Sequence, residues 1–467
     1  MALNRRKLLQ LAGASAFTAA SVPWASRMFT AHAADTSGYK ALVCVFLFGG
    51  LDGHDLLLPY DEPSFAQFSR VRGSLLNTYG AARSRENLLP VNPDDASRFG
   101  SRQFALPPEL PKLKALFDQG RVSVVSNVGP LIEPTTASGF VSGSARVPSR
   151  LFSHNDQQST WQSSAPEGAQ LGWGGLFADA ALASGANATD PAFTTLAATG
   201  VGPFLTGRRA SPYQLSLSGS TGLKALAPLA QRPDSDLFAP FVTSAERFVQ
   251  ASSFSSDNVL ERDMARLFRD GIATNNAFTA AKDSAIALST SFPGSPLGSQ
   301  LRAVAETISI RNSLFASRQI FFVGTGGFDT HSSQAADLPG LLTQIDDALA
   351  AFNAAMTELG VSQSVTTFTA SDFGRTLAVN GDGTDHGWGG HHIVMGGAVR
   401  GRHIFGDVTP AELGHDLDAG GGRLIPSLSV EQLAGPLGRW WGLTESEVAA
   451  ALPNLGNFDP ANLDLFL

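Results

Sequence analysis

Four apolar runs stand out from an otherwise mixed chain, and three of them end beside acidic or imidazole side chains. Lys40–Phe48 is nearly unbroken apolar sequence, which predicts a strand buried on both faces. It runs into Gly49-Gly-Leu-Asp-Gly-His-Asp55. A helix is predicted over 109–119, and Arg121–Asn127 behind it reads as a second strand, so the chain opens strand–helix–strand. Gln319–Gly324 is the third run and leads into Gly326-Gly-Phe-Asp-Thr-His331; Ser364–Thr369 is the fourth and ends at Ser371 and Asp372. Buried strands separated by helical stretches predict an α/β protein with an open parallel sheet. Ligands of such sheets bind outside the carboxyl ends of the strands.

The rest of the pattern is less sharp. Residues 65–116 are polar and irregular up to the predicted helix. Phe204–Gly222 reads as a small β-rich excursion with a turn at Ser218-Gly219, and residues 238–349 are mostly helical apart from a break at 289–299. Apolar residues at helical spacing over 257–270 predict a solvated amphipathic helix. Ile393–Gly397 and Arg402–Gly406 read as a hairpin, and Ser429 as the cap of a helix running toward Trp441.

The residues at the strand ends are of metal-ligand types. Asp52 follows the first strand, where a plain Asp-Gly turn is the alternative reading. Asp329 and His331, two apart, can face one cation. Asp372 follows the fourth strand, and within twenty residues come Arg375, Asp385, His386, His391 and His392 among glycines. Upstream, Ser153-His-Asn-Asp156 reads as a helix N-terminus with Ser153 near the N-cap. Ser153 serves there as a simple cap or places its hydroxyl at the positive end of a helix dipole, where an oxyanion or phosphoryl-type group is favoured. Arg150 just before it is a candidate anion clamp.

Composition narrows the field. The chain of 467 residues carries a net charge of −8, and its first 33 residues hold Arg5, Arg6, Lys7 and Arg27 with no acid. Without those four cations the remainder stands at −12, which argues against nucleic-acid or anionic-membrane partners. The single cysteine, Cys44, lies within the first apolar run, so a disulfide framework and a thiolate zinc site are both excluded. There is no CxxC, no haem-attachment motif and no dinucleotide fingerprint.

Residues 1–34 read as a targeting segment. Asn4-Arg-Arg-Lys-Leu-Leu-Gln10 is a twin-arginine pattern, residues 8–22 are weakly hydrophobic, and Ala31-His-Ala33 offers a cleavage site. The run is too short and too polar at its ends for a membrane span. Export through the twin-arginine translocase to the periplasm or beyond is the expectation, with an ordinary Sec signal as the alternative. Residues 35–467 are expected to form a single α/β domain with no membrane span.

The ordered set Gly49-Gly-Leu-Asp-Gly53, Ser153-His154, Gly326-Gly-Phe-Asp-Thr-His331, Ser371-Asp-Phe-Gly-Arg-Thr376 and Thr384-Asp-His-Gly-Trp388 resembles domain of unknown function number fifteen hundred and one, a family of exported bacterial proteins. More distantly it is similar to the alkaline phosphatase and sulfatase superfamily. That resemblance implies a three-layer sandwich, a central mostly parallel sheet with helices on both faces, two metals, and a phosphorylated or sulfated substrate. Position by position it implies Asp52, Asp329, His331, Asp372 and His386 as metal ligands and Ser153 as nucleophile. The histidine expected directly after Asp372 is Phe373. One metal then takes a ligand from His154, His391 or His392, or is absent. Residues 144–150 also lack the C/S-x-P-x-R setting of a sulfatase nucleophile.

The resulting expectation is a hydrolase of small or polymeric phosphate or sulfate esters. One or two zinc, manganese or calcium ions would stabilise developing charge, and Ser153 or a metal-bound water would attack. Arg150 or Arg375 would grip the non-bridging oxygens, and His154 or Asp55 would act as base or orienter. The alternative is a non-catalytic exported protein that binds a polymer or an assembly partner through a degenerate site.

Overall fold

The strand Lys40–Leu47 lies at the middle of the sheet because all of it beyond Lys40 is buried. In the computed structural model, residues 33–200, 202–217, 258–283, 285, 287–459 and 463–467 are described. Residues 1–32 of the expected targeting segment, the expected Ser218-Gly219 turn and residues 238–257 of the expected helical region lie outside them. Ala34–Leu467 forms one compact unit.

Nine strands among the described residues make the main sheet: β1 (Lys40–Leu47), β2 (Val122–Gly129), β3 (Thr195–Ala197), β4 (Tyr213–Gln214), β5 (Arg318–Thr325), β6 (Val365–Ser371), β7 (Gly390–Gly396), β8 (Ile404–Phe405) and β9 (Leu428–Ser429). The spatial order is β8-β2-β7-β6-β1-β5-β3-β4, with β9 also paired to β2. Every pair is parallel except those of β7, which runs against both β6 and β2. Cys44 lies opposite Phe322 of β5 and Phe368 of β6, so its thiol is a small core residue and burial pushes it up.

Alternation along β1 divides the core in two, since successive side chains of a strand point to opposite faces. Ala41, Val43, Val45 and Leu47 pack with α2 (Pro111–Asp118), α6 (Pro296–Ser309) and α7 (Gln334–Glu358). Leu42, Cys44 and Phe46 pack with α4 (Trp173–Ala183) and α8 (Val430–Trp441). Helices thus cover both faces, which is the expected three-layer α/β arrangement. The Ser429 cap is also as expected, with Gln432 completing a capping box. None of the described helices is long and apolar enough to cross a membrane.

Two expectations need correction. β7 and β8 do not form a hairpin with each other. Both flank β2, at Ile393↔Val124 and Ile404↔Val124, because β2 is buried along its whole length and needs partners on both edges. The supposedly irregular region after residue 65 contains α1 (Glu62–Tyr79), capped by Asp61 accepting from the Ser64 amide. Its buried stripe is Phe68, Arg72, Leu75 and Tyr79, and the arginine within it hid the helical period. The amphipathic helix α5 (Val259–Asp283) is present, with α3 (His154–Ser163) earlier in the chain.

The turn after β1 is held by a second buried arginine. Arg83 donates from Nε and Nη2 to the two oxygens of Asp55, both at 2.7 Å, and from Nη1 to Glu109 at 2.9 Å. Replacing Arg83 by methionine leaves the Asp55 carboxylate buried without its charge partner, which costs about 3–5 kcal/mol. Urea unfolding should show that loss. The double variant Arg83→Met/Asp55→Leu should recover most of it, and equal losses in single and double variants would refute this account.

Candidate functional site

The carboxyl ends of β1, β5 and β6 lie side by side, and close backbone approach brings their loops together. Gly49 and Gly50 have φ of +115° and +90°, a region that favours glycine. A Cβ on Gly49 would sit 2.4 Å from the Asp329 amide nitrogen, and one on Gly50 would meet the Phe373 ring at 2.5 Å. The hairpin Arg375–Asn380/Gly383–His386 approaches just as closely, since a Cβ on Gly383 would lie 2.3 Å from the Thr330 carbonyl. These contacts place Asp329 and His331 beside His386.

His386 donates from Nδ1 to the Phe152 carbonyl at 2.8 Å, which leaves its Nε2 as a lone pair. His331 turns Nδ1 toward Asp385 at 3.3 Å, so its Nε2 is also the free nitrogen. These two Nε2 atoms are 2.8 Å apart and lie 3.1 Å (His331) and 3.2 Å (His386) from Asp329 Oδ1. Three electron-pair donors therefore converge on one point and repel one another unless a cation or a shared proton lies between them. Tetrahedral ligands at about 2.0–2.1 Å from zinc sit about 3.3–3.4 Å apart. A divalent ion thus fits after the triangle opens by a few tenths of an ångström.

A third imidazole borders this triangle. His154, at the start of α3, points Nε2 at Asp329 Oδ2 (3.5 Å) and bonds through Nδ1 to Asp372 Oδ2 at 2.6 Å. The ligand atoms of His154, Asp329 and His386 all lie within 4.8 Å of one another. Gln158, one turn on, donates to the same Asp372 oxygen at 2.9 Å. Asp372 Oδ1 is buried without a hydrogen-bond partner among the described residues, a donor able to face a further cation or a water. The hydrogen bond that His154 donates to Asp372 raises the imidazole above the ordinary histidine range against the pull of burial. Burial lowers His386, helping to keep it neutral and able to ligate. For Asp329 burial works upward, but Arg375 and His154 outweigh it and hold the carboxyl below its usual value.

Several expected residues are placed elsewhere. Asp52 is no free ligand: Arg72 Nη2 donates to its Oδ1 at 3.0 Å, Nη1 reaches Oδ2, and Gln334 donates to Oδ2 at 2.7 Å. Both oxygens are occupied in a buried ion pair. Arg375 is no free anion clamp either. Its buried guanidinium donates to Asp329 Oδ1 at 2.8 Å, to the Gly49 carbonyl at 3.1 Å and to the Thr384 carbonyl. Asp55, bound by Arg83, is withdrawn from any role as base. His391 is buried apart from the triangle, its Nδ1 accepting from the Asn127 amide at 3.0 Å, and its ring faces His54 instead. His392 packs edge-on against Trp161.

The structure also settles the surroundings of Ser153, Arg150 and Phe373. Ser153 is the N-cap residue of α3 by position but makes no capping bond, and its Oγ donates to Asp156 Oδ2 at 2.9 Å. Arg150 is exposed, 3.7 Å from Asp156 Oδ1. Arg150 and Phe152 adopt φ of +53° and +71°, strained values for side-chain-bearing residues. Phe373 lies against both rings of the site, 4.8 Å from His154 and 4.5 Å from His386 between centroids. Gln158, Arg72 and Gln334 were not expected. Buried polar residues on helices give no local pattern, and Arg72 interrupts the apolar stripe of its own helix.

The strand-end acids and imidazoles on a three-layer α/β sandwich define a candidate metal centre. The chain belongs to the family described as "Protein of unknown function (DUF1501)", whose profile matches residues 39–451. No curated protein matches it in sequence. Among solved structures, the one described as "Crystal structure of Ps i-CgsB" is similar at 9% identity and TM-score 0.34, covering 91% of this chain and 77% of that one. Its complex with k-i-k-neocarrahexaose scores 0.32 with the same identity and coverage. A third, from work on glycosaminoglycan metabolism by Bacteroides thetaiotaomicron, scores 0.24 at 10% identity, covering 86% of this chain and 73% of that one. Scores this low carry no argument, and the architecture stands on the strands and helices themselves.

The His154–Asp372 pair has a pH signature. A raised folded-state pKa contributes stability that is fully present below the unfolded value of about 6.5 and is lost as pH rises through the folded value. In metal-free protein, the stability difference between wild type and His154→Gln should therefore be largest near pH 5.5 and shrink above about 6.5. Urea midpoints across that range measure it, and a difference growing with pH would contradict the assignment.

Proposed function

We propose that this chain is an exported, metal-dependent hydrolase of phosphate or sulfate esters. The observation that carries the reading is the convergence of His331 Nε2, His386 Nε2 and Asp329 Oδ1 on one point. These three residues would hold a divalent ion of the zinc, manganese or calcium type. Such an ion supplies Lewis acidity toward an ester oxygen and lowers the pKa of a water. Nearly half of the Asp329 and His331 side chains is exposed, so substrate has access.

The surrounding residues divide the remaining work. Arg375 keeps Asp329 in place, while the exposed guanidinium of Arg150 would take an anionic substrate oxygen. His154, oriented by Asp372 and Gln158, presents Nε2 toward the centre and can take or give a proton there. Water is the favoured nucleophile, because the Ser153 hydroxyl is engaged with Asp156. The twin-arginine segment supports export to the periplasm or beyond, and the acidic mature chain argues against nucleic-acid substrates.

A second reading, a non-catalytic binding or assembly protein, is favoured by one pair of observations. Arg72 occupies Asp52, and Phe373 stands where the resemblance calls for a histidine. Elemental analysis of the full folded chain, purified without chelators, separates the two readings. About one bound ion per chain is expected, lost in His331→Ala and in His386→Ala. A panel of aryl phosphate and sulfate esters should then be cleaved by wild type and at least about 10-fold more slowly by either variant. Protein with no bound metal and no esterase activity would abandon the hydrolase in favour of the binding role.

A further inference from the structure

Gln334, the first residue of α7, is wholly buried, and its amide is shared among three chain segments. Nε2 donates to Asp52 Oδ2 at 2.7 Å, beyond the end of β1. Oε1 accepts from Thr330 Oγ1 at 3.1 Å and from Thr384 Oγ1 at 2.7 Å. The backbone amide of Gln334 adds a bond to the Asp382 carbonyl at 3.1 Å, in the turn of the Arg375–His386 hairpin. Because a carboxylate only accepts, the orientation of the Gln334 amide is dictated: nitrogen toward Asp52, oxygen toward the two hydroxyls.

The two threonines sit among the converging residues. Thr330 lies between Asp329 and His331, and Thr384 is two residues before His386. The two segments also bond directly, the Thr384 amide donating to the Thr330 carbonyl at 3.0 Å. Thr384 Oγ1 in turn accepts from Arg375 Nε at 3.3 Å, and Arg375 grips Asp329. The hydrogen bonds thus run without a gap from Arg72 through Asp52, Gln334, Thr384 and Arg375 to the oxygen shared by the two imidazoles. Ser333, immediately before Gln334, is held at a φ of +56°. Such backbone strain in a residue with a side chain persists only where surrounding contacts over-determine it.

We propose that Gln334 is a positioning residue of this centre. Its amide sets the spacing between the segment carrying Asp329 and His331 and the strand carrying His386, and therefore how well the three donors close on a cation. The inference rests on reading the site as a cation centre. A methionine at this position keeps the volume and the backbone bond to Asp382 but drops every side-chain hydrogen bond. It frees the two hydroxyls and leaves Asp52 to Arg72 and the His54 amide.

The test compares wild type, Gln334→Met and Gln319→Met. Gln319 is an equally buried glutamine at the start of β5, the opposite end of the sheet, bonded to Tyr39 and the Phe193 carbonyl. Cobalt(II) affinity and the visible spectrum of the bound ion are measured beside the melting temperature of each metal-free protein. Both variants should melt lower, but only Gln334→Met should weaken cobalt binding, by about 10-fold or more, and alter the spectrum. Affinity that falls equally in both variants, or stays at the wild-type value in Gln334→Met, would overturn the proposal. If wild type binds no cobalt, the hydrolase reading fails and amide hydrogen exchange in metal-free protein decides the role of Gln334. Faster exchange confined to residues 329–331 and 383–386 in Gln334→Met supports positioning; unchanged exchange rejects it.

Discussion

Carboxylates gathered at the ends of three adjacent strands are the constraint on which the rest of this structure depends. Asp52, Asp55, Asp329 and Asp372 would repel one another if left alone, and an unpaired buried charge costs several kcal/mol. Each has been given a cationic partner. Arg72 holds Asp52, Arg83 holds Asp55, Arg375 holds Asp329, and His154 meets Asp372. Much of the fold on this side of the sheet can be read as the means of delivering those partners. α1 brings Arg72, the turn after it brings Arg83, the hairpin brings Arg375, and α3 brings His154.

The pairings differ in what they leave free. Arg72 and Arg83 are fork-shaped and always charged, and they engage both oxygens of their acids, so Asp52 and Asp55 are structural anchors. Arg375 binds one oxygen of Asp329 from the buried side, and the same oxygen faces His331 and His386 from the open side. His154 engages one oxygen of Asp372 and leaves the other bare. Unshared electron pairs therefore concentrate at Asp329 and Asp372, where the cation supply is incomplete, and the rigid pairs behind them fix the geometry.

This division explains what the sequence could and could not disclose. A long apolar run in β1 and shorter apolar or β-branched runs in β5 and β6 announce buried parallel strands, so these strands and the acids at their ends were legible. So were the Asp329–His331 pair and His386, because glycine-flanked histidines beside strand ends are hard to explain as core. The partner of Asp52 was not legible, since Arg72 lies twenty residues away in a helix whose pattern it interrupts. His391 looked like a ligand by proximity in sequence. Strand geometry sends it to β2, where the Asn127 amide occupies its Nδ1. The β7–β8 hairpin failed for a related reason: adjacency in sequence is a weaker constraint than the need of a fully buried strand for two partners.

Phe373 draws these threads together. A second cation beside Asp372 would need further donors, and the two side chains bonded to that acid, His154 and Gln158, both spend their bonds on its Oδ2. With Asp52 neutralised by Arg72, the negative charge that would draw a second ion is largely spent. Phe373 instead packs against His154 and His386 together, and at Gly50 it leaves no room for even a Cβ. It restricts the tilt of both imidazoles while adding no charge. A residue that removes a candidate ligand beside Asp372 thus steadies the candidate ligand His386 and the neighbouring His154. That is the physical case for a centre built around one ion with an adjacent proton-carrying imidazole.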